Sequence, residues 1–207
     1  MALFQHPFNG QRTKEYPDRP LSCSATEAGK KGVNEDAAQR LELPSGIGVY
    51  VVCDGLSGHN GQEASQDAAS AFVERIQKKE KAIARSKDDT SITDLLSREV
   101  TEINAMLTPR SEATTLTSFI VAHKKAYLVH VGDSRAYALY LDGRVAQLTP
   151  DHSFVQEKIQ AGTFTPEKAR IYRGKHAPTR YLAGSNSELY TAVVSLTDIQ
   201  SLLLVTD

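Results

Sequence analysis

Cysteine is scarce in this chain: Cys23 and Cys53 are the two among 207 residues. They lie far apart and without metal-ligand spacing. This excludes a disulfide framework and a thiolate zinc site, and the pair reads as reduced thiols of a cytoplasmic protein. Long apolar runs are also lacking. No stretch approaches the roughly 20 residues that a membrane-spanning helix needs, and residues 1–20 have no apolar core of the signal-peptide kind. Excess charge of one sign is missing as well. The formal net charge is −1, so nothing global calls for nucleic acid or an anionic membrane as partner. There is no internal repeat and no low-complexity tract. What is left, with 40% hydrophobic and 24% charged residues, is the composition of a soluble globular protein with material for one sizeable core.

The period of the apolar residues divides the chain. Residues 47–53 (IGVYVVC) are short, apolar and β-branched, and predict a strand. Between 62 and 85 the residues Ala64, Ala68, Phe72 and Ile76 recur every fourth position and predict one helix. A second helix is expected over 91–107, with Ser91 and Asp94 as a capping box and Pro109 beyond its end. The period then shortens. Residues 115–122, 126–131 and 135–141 read as consecutive strands, and Asp142-Gly143 as a hairpin turn leading into 144–148. Thr149-Pro150 and Thr165-Pro166 each look like the opening of a short helix, with Gly162 as a stop between them. Residues 171–190 are basic and irregular, and SLLLV (201–205) is a buried strand. Hairpin-linked strands with two long helices to cover them predict a layered α+β domain rather than alternating βαβ units.

Carboxylates recur where strands end. VVC runs into Asp54, LVHVG into Asp133 and LLLVT into Asp207, while Glu35-Asp36 stands just ahead of a strand. Each has an ordinary reading: Asp54-Gly55 as a turn, Asp133 as part of a hairpin turn, Glu35-Asp36 as solvated charge, Asp207 as a chain end. Together they are acids delivered to one edge of a sheet, where they repel one another unless a cation intervenes. All-oxygen donors select hard ions, Mg²⁺ or Mn²⁺, over zinc. Two such ions about 3.5–4 Å apart are a common device for attack of water on a phosphate.

With those residues in view, the chain resembles the metal-dependent serine/threonine protein phosphatases of type 2C in their bacterial form. The segments that carry the resemblance are GKKGVNEDA (29–37), VVCDGLSGHNGQEAS (51–65), ATTLTSFIV (113–121), YLVHVGDSRAY (127–137), VAQLTPDHSFVQEKIQAG (145–162) with TPEKAR (165–170), and LLLVTD (202–207). The resemblance implies a four-layer α-β-β-α sandwich of two antiparallel sheets flanked by helices, with a metal centre between the sheets at one edge. Residues 21–207 would form this domain, with its C-terminal part missing, and residues 1–20 an irregular N-terminal segment. It implies a hydrolase of phosphoserine and phosphothreonine in proteins, using a metal-activated water and no phosphoenzyme. Asp54 would bridge two ions (Mn²⁺ or Mg²⁺), with the carbonyl of Gly55 on one and Glu35 with Asp207 on the other. Asp36 would hold metal-bound waters, and Asp133 a third, weaker site shared with Asp207. The partners implied are phosphorylated proteins, and a cognate Ser/Thr kinase in a signalling pair; no nucleic acid and no membrane.

The sequence departs from the family pattern at several places. Lys31 stands where arginine often clamps the substrate phosphate, and offers a point charge instead of a fork. The usual Met-Gly-Gly-His after Asp-Gly is Leu56-Ser57-Gly58-His59 here, and the usual Gly-Thr-Thr is Ala113-Thr114-Thr115. His59 reads either as a general acid for the leaving group or as a ring packed beside the loop, and His152 as a cap of local structure. Residues 163–185 correspond to a mobile flap, where Arg170, Arg173, Lys175 and Arg180 are candidates to touch a phosphoprotein or to be plain solvated charge. The family continues past the strand at 201–205 through further elements and a later aspartate. This chain stops at Asp207, so the expected fold is truncated, lacks its last elements and holds metal weakly. Two other readings stay open. One is a pseudophosphatase that binds a phosphoprotein or kinase without turnover. The other is a phosphotransferase with Asp54 as nucleophile after a parallel strand, disfavoured by the hairpins.

Overall fold

The described residues form ten strands, most of them rich in valine, isoleucine, leucine or aromatic side chains, and every strand pair among them is antiparallel. The computed structural model describes residues 2–5, 21–28, 32–110, 112–174, 177–183 and 187–206. The first sheet contains β3 (Asp36–Glu42), β4 (Gly48–Asp54), β5 (Leu116–Ala122), β6 (Lys125–Val131) and β9 (Tyr190–Ser195), in that spatial order. The second contains β2 (Leu21–Ser24), β1 (Ala2–Gln5), β10 (Ile199–Val205), β7 (Arg135–Tyr140) and β8 (Val145–Gln147), again in that order.

Alternation along the strands sorts the core into two layers. On β4, Val49, Val51 and Cys53 face a cluster shared with Phe72, Ile76, Leu96, Val100 and Ile103. Those partners come from α1 (Gly61–Lys78) and α3 (Asp89–Leu107), which cover the outer face of the first sheet. Tyr50 and Val52 point the other way, into a cluster with Phe119, Leu128, Ala136, Ala138, Leu202 and Leu204. That second cluster is the seam between the two sheets. The expected sandwich of antiparallel sheets with flanking helices is therefore present, with its long helices on the first sheet.

Several expectations need correction. The helix over 62–85 is two helices, α1 and α2 (Glu80–Arg85), broken at Lys79, whose N–H turns back to the carbonyl of Ile76. The stretch KKEK (78–81) offers no apolar side chain to continue the stripe, and the break lets Ile83 reach the core. The second long helix starts earlier than Ser91. Asp88 caps it, its carboxylate accepting from the N–H groups of Thr90 (3.3 Å) and Ser91 (3.0 Å), so Ser91 and Asp94 form no capping box.

Thr149-Pro150 does not open a helix. The hydroxyl of Thr149 accepts from the N–H of Ala136 at 3.0 Å, and α4 (Phe154–Gln160) begins only after Ser153, whose hydroxyl accepts from the N–H of Gln156. Thr165-Pro166 does open α5 (Pro166–Ile171). Residues 1–20 are not wholly irregular, since β1 lies inside the second sheet between β2 and β10; residues 6–20 lie outside the described residues. Residues 190–195 form β9, an edge strand.

The layering yields a test. Leu204 is fully buried at the seam, while Leu203 points to the opposite face and is partly exposed. Leu204→Ala should cost about 2–5 kcal/mol in urea unfolding, and Leu203→Ala less than about half of that. Equal losses would mean that the seam is not where these residues place it.

Candidate metal centre

The register of β3 on β4 sets Asp36 directly opposite Asp54. Asp54 continues the alternation of Tyr50 and Val52, and Asp36 that of Ala38, so both carboxylates belong to the seam side of the first sheet. Like charges directly opposite on neighbouring strands are destabilising. The second sheet reaches the same place. Thr206 follows β10 with the parity of Leu202 and Leu204, and its hydroxyl donates to Asp36 Oδ2 at 3.0 Å. Glu35 is held beside them, its carbonyl accepting from the N–H of Gly55 at 2.9 Å and its carboxylate from the hydroxyl of Ser57.

Backbone approach explains the glycines at this corner. A Cβ on Gly55 would lie 1.9 Å from the carbonyl oxygen of Gly61. The start of α1 thus packs straight onto the residue after Asp54, and no side chain fits between them. Gly132 has a φ of 118°, and a Cβ there would come within 2.5 Å of the Thr115 side chain. That contact brings the Asp133 turn against β5.

Hydroxyls join the two motifs. Thr115 Oγ1 accepts from the N–H of Asp54 at 3.0 Å and is 2.8 Å from Ser134 Oγ. Thr114 Oγ1 donates to the carbonyl of Asp54 at 2.9 Å. Ala113 contributes only its backbone, accepting from the N–H of Leu56 (2.9 Å) and donating to the carbonyl of His59 (3.1 Å). The methyl in place of the family glycine is therefore tolerated.

Asp133 lines an open cleft of about 390 Å³ with Asp151, Thr206, Gln156 and Arg170. One wall is a two-pronged ion pair: Arg135 Nε donates to Asp151 Oδ1 at 2.8 Å and Nη2 donates to Oδ2. Gln147 Nε2 adds a third donor to Asp151 at 2.8 Å. Such forks fix geometry as well as charge. Asp151 holds the Arg135 guanidinium firmly in its charged form. The segments GDSR (132–135) and TPDHS (149–153) meet here.

Two buried histidines stand behind that turn, with ring centroids 4.7 Å apart. His130 Nε2 is 2.9 Å from the carbonyl of Pro150, which can only accept, so this nitrogen carries the proton. Its Nδ1 then accepts from the hydroxyl of Thr117 at 2.9 Å. His152 Nδ1 accepts from the N–H of Gly132 at 3.2 Å, and the backbone N–H of His152 donates to the carbonyl of Gly132 at 2.8 Å. The expected structural role of His152 is thus what the geometry shows: it braces the Asp133 turn. Burial pushes His130 down to about 3, helped by neighbouring His152. Burial and then the charge of Arg180 push His152 down to about 4.

The sequence model of the family described as Protein phosphatase 2C matches residues 25–207. The chain belongs to this family. It is similar to the serine/threonine phosphatase stp of Listeria welshimeri, at 28% identity over 84% of this chain and 71% of that protein. It is also similar to the serine/threonine protein phosphatase PstP of Mycobacterium tuberculosis, at 31% identity over 75% of this chain but 29% of that protein. The solved structure of the serine/threonine phosphatase Stp1 from Staphylococcus aureus superposes with a TM-score of 0.77 at 25% identity, covering 87% of this chain and 73% of that one.

Within this type 2C fold, the structure brings Glu35, Asp36, Asp54 and Gly55 to one edge of the seam and places Asp133 beside Thr206 in the adjoining cleft. Among the described residues, the carboxylates do not close into a three-ligand cluster. Asp207 and Lys31 lie outside the described residues. The donor chemistry fits hard divalent ions all the same, being carboxylates and a carbonyl with hydroxyls behind them. His59 is exposed on the loop after Asp54. Arg170 and Arg173 are exposed, Arg180 is half-buried and paired with Glu188 at 2.9 Å, and Lys175 lies outside the described residues. Phe164 and the exposed Tyr172 of the flap segment cluster with Phe154 of α4, with ring centroids 5.3–6.2 Å apart. The parallel-strand phosphotransferase loses its premise, since β4 is antiparallel to both neighbours.

The ordinary reading of the sequence missed Ser57, Thr115, Ser134, Arg135, Asp151 and Thr206. Most are small hydroxyl or charged residues whose partners are distant in the chain, and only their adjacency to the acidic motifs marked them.

The two histidines generate a pH prediction. Unfolded, each titrates near 6.5, while the folded forms stay neutral down to about 3 and 4. Between those limits the unfolded chain binds more protons. Their contribution to stability is therefore complete above about pH 6.5 and is lost as the pH falls below it. The urea midpoint should drop between pH 7 and pH 5, and His130→Gln should flatten that slope while lowering the midpoint at pH 7.

Proposed function

We propose that this chain is a metal-dependent protein serine/threonine phosphatase acting on phosphoserine and phosphothreonine. The observation that carries the reading is the placement of Asp36 opposite Asp54 at the seam, with Glu35 bonded beside them. A fold that keeps two acids facing each other has a use for a cation there. The similarity to phosphatases of Listeria, Mycobacterium and Staphylococcus supports the same conclusion.

Glu35, Asp54, the carbonyl of Gly55, Asp133 and Asp207 are the residues proposed to hold the ions, Mn²⁺ or Mg²⁺, as two sites with a third, weaker one. Ions bound there would supply a water acidic enough to attack phosphorus at neutral pH. Asp36 orients water by accepting hydrogen bonds, and its own carboxylate is aimed by Thr206. Lys31 is proposed to neutralise the substrate phosphate, and His59, exposed on its loop, to donate a proton to the departing seryl or threonyl oxygen. Asp133 is braced by the Thr115–Ser134 contact and the histidine pair, so its position does not depend on the flap alone.

Residues 21–207 together with β1 are proposed as the phosphatase domain. No helix among the described residues is long and apolar enough to cross a membrane. A cytoplasmic place in signalling, opposite a cognate Ser/Thr kinase, is proposed with it.

The test is hydrolysis of a phosphothreonine peptide in Mn²⁺ and again in EDTA. Turnover in Mn²⁺ that EDTA abolishes is expected. Asp54→Asn should lower turnover by at least about a thousandfold, the equivalent of the several kcal/mol that a positioned ion supplies. Its metal-free form should melt no lower than the parent, because the change removes one charge of a repelling pair. Undiminished turnover in Asp54→Asn, or in EDTA, would sink the assignment.

A further inference from the structure

Ser57 occupies a position where the family pattern carries glycine. Its hydroxyl donates to Glu35 Oε2. The loop that presents it is braced independently of that bond. Gly55 donates to the carbonyl of Glu35 at 2.9 Å, Leu56 to Ala113 at 2.9 Å, Ala113 to His59 at 3.1 Å, and His59 to Leu56 at 3.1 Å. Ser57 is exposed at the tip of this braced loop. Its hydroxyl is thus a donor set in place by backbone, and it touches a carboxylate that the functional reading assigns to the metal.

From this we infer that Ser57 is a positioning residue that orders Glu35 for metal binding, an inference that rests on the metal-dependent reading above. Glutamate has three rotatable side-chain bonds, and holding it in one rotamer costs entropy that must be met when the ion binds. A donor fixed on the loop meets part of that cost in advance. It engages Oε2 of the carboxylate. Hydrogen bonds of this kind behind ligands are a general determinant of metal affinity. Glycine at this position has no side chain with which to do the same, so the device belongs to this sequence rather than to the pattern.

The experiment is a calorimetric titration of the metal-free chain with Mn²⁺, for the parent, Ser57→Ala, Ser57→Thr and Glu35→Gln, alongside thermal melts without metal. Ser57→Ala should bind Mn²⁺ roughly 10–100-fold more weakly, and Ser57→Thr, which keeps the hydroxyl, within about threefold of the parent. The metal-free melting temperatures of both should match the parent, because the loop is braced by backbone bonds. Equal affinity in Ser57→Ala and parent, with Glu35→Gln weakened, would overturn the role of Ser57 and leave the metal reading standing. A metal-free melting temperature that falls in Ser57→Ala would assign the residue to stability and overturn the inference as well. Absence of Mn²⁺ binding in the parent would overturn the metal reading itself.

Discussion

The pairing of β3 with β4 brings Asp36 across from Asp54, and the rest of this end of the molecule is arranged around that repulsion. Register in an antiparallel pair is set by which side chains must be buried. Here Val49, Val51 and Cys53 must face the helices, and Tyr50 and Val52 the seam. A slip of one residue would turn all five around. The same constraint that builds the core therefore holds two acids opposite each other. Burial of the leucines of β10 at the seam, each contributing about 1.5–3 kcal/mol, is large against the repulsion of one such pair.

Hydroxyl groups make the connection between the sheets at that edge. Thr206 reaches Asp36 from the second sheet, and Thr115 links Asp54 to Ser134. Short side chains suit the task, since they lose little rotamer freedom when fixed. Behind them, His130 and His152 remain neutral because they are buried, and a neutral imidazole can accept as well as donate. A charged ring could not accept from Thr117 or from the N–H of Gly132. The low proton affinity of the pair is thus part of how the Asp133 turn is supported, with no chemistry required of either ring.

The fork of Arg135 on Asp151 binds the strand after GDSR to the segment before α4. It lines the same cleft as Asp133 and Arg170. The acids of this edge sit on the ends of β3 and β4 and on the turns beside them, while α4 and α5 line the adjoining cleft.

Much was legible in the sequence itself. Period and turn chemistry placed the strands from 116 to 147 and the two long helices, because their side chains report burial locally. The acids at strand ends pointed to a metal edge, and GDSR with TPDHS to the family. Other features rested on partners far away in the chain. The four residues of β1 have no periodicity to display, and become a strand only because β10 lies beside them. Thr149-Pro150 carries a sound helix-opening signal that loses to the bonds of Thr149 with Ala136 and of Pro150 with His130. The sequence alone determined which residues are acidic, which are apolar and at what spacing. Tertiary structure decided which acids face one another, since the register of β3 on β4 follows from burying both faces of β4 at once, a condition that no single segment satisfies alone.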